Sequence, residues 1–381
     1  MPTPHHTLSV DADFPGGNIV VEEMDGSTVR LHQDLRDTEV WWFYWYFRAR
    51  GAQGQSLTFD FTLGDVIGSR GPVISTDGGR AWTWLGREVV EETAFAYRFP
   101  VDAEDVRFAF AMPYVTSDLE AFLAGYDAHP GLTTELLCHT RKGRPVTAIR
   151  LGEQDETLRY RVLLTCRHHA CESVASYVLE GLMATALSDT SLGRWLQTNV
   201  AFFIVPFVDL DGVEEGDQGK QRHPRDHNRD YDGNGLYPTT RAIRRRVPTW
   251  ASGGHGLALD LHCPYIRGDH SEVIYCVGGP DSDNWTKVQA FASLLEDVQT
   301  GPLVYRKEAN LAFGEGWNTP ENVAQGKNFS RWAAEQPEFQ MATTIETPYA
   351  DVRGTAVSPP SARELGRDLA AAIQRYLEER A

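Results

Sequence analysis

A histidine and a glutamate with two residues between them, in His169-Ala-Cys-Glu172, follow closely on the apolar run Val162-Leu-Leu-Thr-Cys166. At the start of a helix, an imidazole nitrogen and a carboxylate oxygen at that spacing share one face and can bind a single cation. His168 is an alternative to His169, because its i, i+4 spacing to Glu172 also permits shared ligation. The best third donor is His262, where a second apolar run, Leu257-Ala-Leu-Asp-Leu261, ends in a histidine. Two histidines and one glutamate leave a coordination position open for water, which separates a hydrolytic zinc site from a structural one. A lone His-x-x-Glu pair is common by chance. Its place at the end of a hydrophobic strand gives it weight, since open α/β sheets bind ligands there.

Three further clusters extend this chemistry. Glu346 ends the apolar stretch of Ala342-Thr-Thr-Ile-Glu346, and a hydrolase working through zinc needs a carboxylate that is not a ligand to take the water's proton and pass it to the leaving amine. Asn228 and Arg229 lie in the charged, glycine-containing loop Gly216 to Tyr231, where a guanidinium fork could hold a carboxylate bidentately. The plainer reading is an ion pair of Arg229 with Asp226 or Asp230. Asp226, Asp230, Asp232 and Asn234 also carry loop spacing for calcium, although no glutamate closes the loop at the usual offset. Gly326-Lys-Asn-Phe-Ser-Arg-Trp332 reads as a turn into a short helix able to line a pocket.

These groups must be carried by a large, acidic, globular chain. Its 381 residues are 41% hydrophobic, enough for two domains with proper cores. The net charge of -17 argues against nucleic-acid binding. No apolar stretch approaches membrane-spanning length, and the N-terminus lacks a basic and an apolar targeting region, so the expected location is cytoplasmic, without a membrane partner. The five scattered cysteines (Cys138, Cys166, Cys171, Cys263 and Cys276) form no disulfide framework pattern. Cys171 and Cys263 adjoin proposed ligands, but their positions point them away from the metal. The basic cluster Arg241-Ala-Ile-Arg-Arg-Arg246 reads most simply as a solvated helix face, and more sharply as a rim that draws acidic substrates.

Up to residue 125, short strand-like runs separated by turn residues predict an all-β sandwich. Within it, Val40-Trp-Trp-Phe-Tyr-Trp-Tyr-Phe47 alternates as a strand. Trp41, Phe43, Trp45 and Phe47 would share one face. Trp42, Tyr44 and Tyr46 would share the other, as a carbohydrate platform or, more commonly, as aromatics packed under a neighbouring domain. A capped helix near Thr116 joins this region, residues 1–125, to residues 126–381. There strands and helices alternate, predicting an α/β fold with a mixed, mostly parallel, eight-stranded-type sheet and helices on both faces.

The order His-Ala-Cys-Glu, Asn-Arg, Asp-Leu-His, Thr-Ile-Glu, each at the end of an apolar run, resembles the M14 zinc carboxypeptidases. The junction Val106-Arg-Phe-Ala-Phe-Ala-Met-Pro-Tyr-Val-Thr-Ser-Asp-Leu119 resembles the cytosolic carboxypeptidase branch of bacterial type. The resemblance implies one zinc ion per chain held by His169, Glu172 and His262, with Glu346 as general acid/base. Asn228 and Arg229 would grip the terminal carboxylate of a peptide or protein tail. The implied activity is removal of C-terminal residues. A deacylase acting on N-acyl amino acids and a non-catalytic peptide-binding relative are the alternatives. Two departures stand out. The arginine that the family uses at the oxyanion aligns with Gly219, so Lys220 or Arg222 would replace it, with Arg222 favoured because a guanidinium is always charged. No tyrosine lies near Val323, where the pancreatic-type enzymes carry one. Ser330 would sit near the base of the specificity pocket.

Overall fold

The computed structural model describes residues 7–40, 42–153 and 158–379. Two five-stranded sheets form the N-terminal region. One runs in the order Ser9–Asp11, Tyr46–Arg50, Asp105–Ala109, Val73–Ser75, Thr83–Trp84, the other Val20–Asp25, Thr28–His32, Ser56–Phe61, Ala94–Arg98, Val90–Glu91. Alternation explains the pairing of the sheets. Leu57, Phe59 and Phe61 on one strand and Val106 and Phe108 on another are buried while their neighbours are not fully so. Phe59 meets Phe47 at 5.0 Å and Phe108 at 5.1 Å between ring centres, closing an aromatic core between the sheets.

The expected aromatic strand is shorter than its alternation implies. Only Tyr46–Arg50 is a strand, and residues 42–45 run extended without a ladder partner. Their backbone is satisfied differently: the Tyr44 N–H donates to Gln218 Oε1 (2.7 Å) and the Gln218 amide donates to the Tyr44 carbonyl (2.9 Å). Tyr44 and Tyr46 are both buried, so no carbohydrate platform exists; Tyr44 is held by Gln218 of the second region, while Tyr46 packs within the sandwich against Phe14 and Trp82. Trp41 lies outside the described residues.

The second region is built on a seven-stranded sheet among the described residues, one fewer than expected. Its order is Leu132–His139, Pro145–Leu151, Val200–Val205, Tyr160–Cys166, His255–His262, Phe339–Glu346, Tyr275–Val277. The four central strands, Val200–Val205 through Phe339–Glu346, are parallel, and the outer pairings are antiparallel. Tyr160–Cys166 sits in the middle and is buried at every position, which is why it reads as a continuous apolar run. Helices Ser173–Ala186, Ser282–Val298, Phe329–Ala334 and Pro359–Glu379 pack around the sheet. A helix at Leu210–Glu215, capped by the Asp209 carboxylate on the Gly212 N–H (3.1 Å), follows Val200–Val205.

Candidate active site

Three parallel strands, Tyr160–Cys166, His255–His262 and Phe339–Glu346, end side by side and bring the site together. Leu261 pairs with Cys166 and His262 with Glu346, so the third proposed ligand and the proposed base occupy matching positions on neighbouring strands. Beyond Cys166 the backbone turns through Arg167 at φ 58°, a left-handed conformation costly for a side chain of this size. The turn is held from within: buried Arg167 donates to the carbonyls of Tyr114 (2.8 Å) and Ala170 (3.1 Å) and to Ser176 Oγ (3.1 Å). His169 and Glu172 therefore lie in a turn, with the Glu172 N–H on the His169 carbonyl (3.3 Å), and the helix begins only at Ser173.

The two adjacent histidines are used differently. His168 Nδ1 meets Asp260 Oδ1 (2.8 Å) and its Nε2 meets the Tyr231 hydroxyl (2.7 Å), so both nitrogens are engaged. His169 instead turns Nδ1 toward Glu172 Oε1 (2.9 Å) and Nε2 toward Asp226 Oδ2 (3.2 Å). His262 mirrors it, with Nδ1 2.7 Å from Glu172 Oε2 and Nε2 2.7 Å from Asp260 Oδ2. With the protons held at Nε2, where Asp226 and Asp260 accept them, both Nδ1 lone pairs would face Glu172. Although 2.7 Å from a nitrogen, buried Glu172 Oε2 has no hydrogen-bond partner. A cation seated there would be shared by the two Nδ1 atoms and the Glu172 carboxylate. The three donors lie within 4.8 Å of one another, and two imidazoles with a carboxylate fit zinc. His168, Asp260 and His262 form a second close group, but Asp260 already accepts from Thr165 (2.8 Å) and both histidines and so acts as their orienting anchor.

Electrostatics separate the two buried glutamates. Burial alone would raise Glu172, but His262, Lys220 and His169 outweigh it and hold its carboxyl well below the usual range. Burial, opposed by His262 and reinforced by the charge of Glu172, pushes Glu346 up to about 7. Glu346 Oε2 is also buried without a partner. Two carboxylates pushed apart in this way suit one ligand and one proton carrier.

The segment after the ligand turn decides which cation enters the site. Gly219 has φ +77°, and a Cβ there would stand 2.2 Å from the Ala170 backbone nitrogen, so this position admits no arginine. Lys220 is brought in: its ammonium lies 2.7 Å from Glu172 Oε1 and donates to the Cys263 carbonyl (3.2 Å). Arg222, the favoured candidate, is not. It is caged by Asp37 (2.7 Å), Asp217 (2.7 Å) and Asp209 in a different cavity, because three carboxylates outcompete an open cleft for one guanidinium.

The cleft itself is a cavity of ≈450 Å³ lined by His169, Lys220, Arg229 and Glu346 together with Trp42, Tyr265, Tyr275 and Trp317. Arg229 donates to the Asn228 carbonyl (2.8 Å) and to Asn322 Oδ1 (3.1 Å), and its Nε–H has no partner. Asn228 lies beneath the cleft wall, buried, with its amide nitrogen 3.2 Å from His262 Nε2 and its amide oxygen accepting from the Phe329 N–H (2.9 Å). Ser330 faces a neighbouring cavity with Asp281 and Asn284, near Thr344 Oγ1 (3.4 Å), and not the cleft. Val323 closes the short helix Pro320–Val323, and its side chain lies outside the described residues. The calcium reading fails because its carboxylates are dispersed: Asp226 serves His169, while Asp230 caps the helix Pro238–Ala251 through the N–H groups of Leu236 and Tyr237 (2.7 and 2.9 Å). Arg244 donates to the carbonyls of Asp232 and Gly233 and Arg246 pairs with Glu135, so this cluster stabilises its own helix and forms no rim to the cleft.

Sequence reasoning missed Asp226 and Asp260 as orienting partners of the histidines. Asp260 was visible in principle, since residues i and i+2 of a strand share a face with His262. Trp42, Tyr265, Tyr275 and Trp317 come from three loops and the edge strand Tyr275–Val277, so no local pattern links them as one wall.

The zinc carboxypeptidase profile, that of the M14 peptidases, matches residues 119–250, from the joining helix through the ligand turn and the Asn228-Arg229 loop. The chain carries an M14 zinc carboxypeptidase domain. Homology extends to the cytosolic carboxypeptidases. Cytosolic carboxypeptidase 3 of Mus musculus is 29% identical over 144 residues, 36% of this chain and 14% of that protein. Cytosolic carboxypeptidase 2 of Danio rerio is 24% identical over 263 residues, 59% of this chain and 36% of that protein. The chain thus spans a minor part of these relatives' length. A metallo-carboxypeptidase from Burkholderia cenocepacia shares the fold throughout, with a TM-score of 0.81 at 21% identity over 99% of this chain and 100% of that one. A metallo-carboxypeptidase from Pseudomonas aeruginosa, in complex with (2-guanidinoethylmercapto)succinic acid, superposes with a TM-score of 0.75 at 19% identity over 97% and 99%. The M14 domain and the sandwich before it are therefore one shared architecture. Among the described residues no helix is long and apolar enough to cross a membrane.

Proposed function

We propose that the protein is a zinc-dependent metallocarboxypeptidase that removes single residues from the C-termini of peptides or protein tails. The observation that carries this reading is the convergence of the His169 and His262 Nδ1 atoms on Glu172, beside a separate buried carboxyl, Glu346, raised to about 7. Bound among His169, Glu172 and His262, zinc supplies Lewis acidity toward the scissile carbonyl and acidifies water. Glu346 takes the proton from the attacking water and returns it to the leaving amine, a task for which a pKa near the working pH is favourable. The Lys220 ammonium faces the charge that develops on the carbonyl oxygen, in the role that Gly219 denies to an arginine. Arg229, which lines the cleft, receives the terminal carboxylate. Asn228 supports this by fixing the start of the helix Phe329–Ala334. A cytoplasmic setting accords with the five unpaired cysteines.

The test is to incubate the zinc-loaded protein with matched peptides bearing free or amidated C-termini and with N-acyl amino acids, and to read products by mass spectrometry. Shortening of free C-termini by one residue, with amidated peptides intact, is the expected result. Turnover confined to N-acyl amino acids would make the protein a deacylase.

A further inference from the structure

Lys220 is held from two directions. From the catalytic side, its ammonium contacts Glu172 and the Cys263 carbonyl. From the other side, the indole of Trp42, a residue of the N-terminal sandwich region, covers it with the ammonium 5.0 Å from the ring centre. A largely buried ammonium with only two polar contacts has one remaining flank to satisfy, and an aromatic face does this where water is excluded. The indole is itself fixed. Its Nε1–H donates to Gln221 Oε1 (3.1 Å), its carbonyl accepts from the buried Gln33 amide (2.7 Å), and its ring meets Tyr265 edge-on at 5.5 Å.

The surrounding chain has the same arrangement. The Glu39 N–H donates to the Gln221 carbonyl (3.2 Å), Thr38 Oγ1 donates to the Lys220 carbonyl (3.3 Å), and Gln218 brackets Tyr44 through both amide atoms. On the opposite side, the Cys171 N–H donates to the Gln218 carbonyl (3.2 Å). Residues 218–221 are therefore clamped between the ligand turn and a strap from the sandwich, of which residues 38–40 and 42–44 are described. We propose that Trp42 is a positioning residue that sets the Lys220 ammonium in the cleft, which makes the sandwich a working part of the active site. This rests on the carboxypeptidase reading for its catalytic consequence, though the physical contact does not.

The test uses the full chain and the variants Trp42→Ala, Trp42→Phe, Lys220→Gln and the Trp42→Ala/Lys220→Gln pair. Trp42→Ala should lower kcat about tenfold, the size expected for losing a desolvated cation–aromatic contact, with KM, zinc content and Tm near wild type. Trp42→Phe should restore most of the loss. In the Lys220→Gln background, Trp42→Ala should cost less than about twofold, because residues acting as one unit are not additive. An equal loss in both backgrounds, or a loss that follows zinc content and Tm, overturns the proposal. A readout independent of turnover is acetylation of Lys220 by acetic anhydride, followed by peptide mass spectrometry with exposed Lys142 as reference. Trp42→Ala should raise Lys220 labelling several-fold, and unchanged labelling overturns the proposal whatever the turnover. Failure of wild-type turnover on every peptide, with Lys220 labelling raised, would count against the carboxypeptidase reading and not against this one.

Discussion

Gly219→Ala tests why this chain cannot use an arginine at the position next to its metal turn. The added Cβ would stand 2.2 Å from Ala170 N and 3.1 Å from Ala170 Cβ, against an ordinary contact of 3.4 Å or more, and φ is +77°. The backbone has to move by roughly 1 Å. A non-glycine residue in the left-handed region costs about 1 kcal/mol, and forcing a methyl into a filled space typically adds about 1–3 kcal/mol. The expected destabilisation is thus ~2–4 kcal/mol. Unfolding entropy of about 2.1 cal/mol/K per residue over 381 residues gives ~0.8 kcal/mol/K, so Tm should fall by ~3–5 °C. His169 directly precedes the displaced residue, and disturbing a ligand's setting commonly weakens metal affinity by about 10- to 100-fold. Thermal melts of the zinc-loaded protein and competition with a chromophoric chelator read the two effects separately. Gly219→Arg should show the same losses and no gain in turnover. A Tm within about 1 °C of wild type together with undiminished zinc affinity would refute the steric argument.

Arg222→Gln and Lys220→Gln should separate cleanly: the first leaves Asp37, Asp209 and Asp217 without their common partner and costs about 3–5 kcal/mol of stability, seen in denaturant melts, while the second lowers kcat with a smaller change in stability. Glu346→Gln should keep zinc, measured by atomic absorption, and lose about 10²- to 10⁴-fold in turnover; near-normal turnover would remove Glu346 from the mechanism. Because Glu346 works as a base, activity requires its ionised form, so kcat/KM should fall as pH drops through about 7 or somewhat below, zinc's charge favouring ionisation, and this acid limb should be absent from the residual activity of Glu346→Gln. Chelation should lower Tm by ~5 °C when free zinc has been held near a thousand times its dissociation constant, the equivalent of about 4 kcal/mol; an unchanged Tm would mean that the His169, Glu172 and His262 group holds no metal in the folded protein.

Much of the chemistry was legible from the chain because strand ends are written into it. His169, Glu172, His262 and Glu346 each close an apolar run, and parallel strands buried on both faces produce such runs whatever their neighbours. The sandwich was equally visible, since alternation at Leu57, Phe59 and Phe61 records one buried face. The aromatic segment before Tyr46 misled for the converse reason: alternation there reflects burial between two regions, with Gln218 standing in for a partner strand.

What local order could not settle was the competition among neighbours in space. The choice of His169 over His168 followed from family likeness, and its physical basis appears only when Asp260 and Tyr231 are seen to occupy both nitrogens of His168. Charge and permanence favoured Arg222 over Lys220, but Asp37 from the sandwich together with the nearer Asp209 and Asp217 holds the guanidinium elsewhere, and coulombic partners cannot be ranked until the fold sets their distances. The opening pair, His169 and Glu172, pointed to a hydrolytic metal site only through its order along the chain with Asn228-Arg229, His262 and Glu346. Tertiary structure decided which cation stands beside them and gave the N-terminal sandwich a part in placing it, because burial and the partners within 3 Å determine what a charged side chain does.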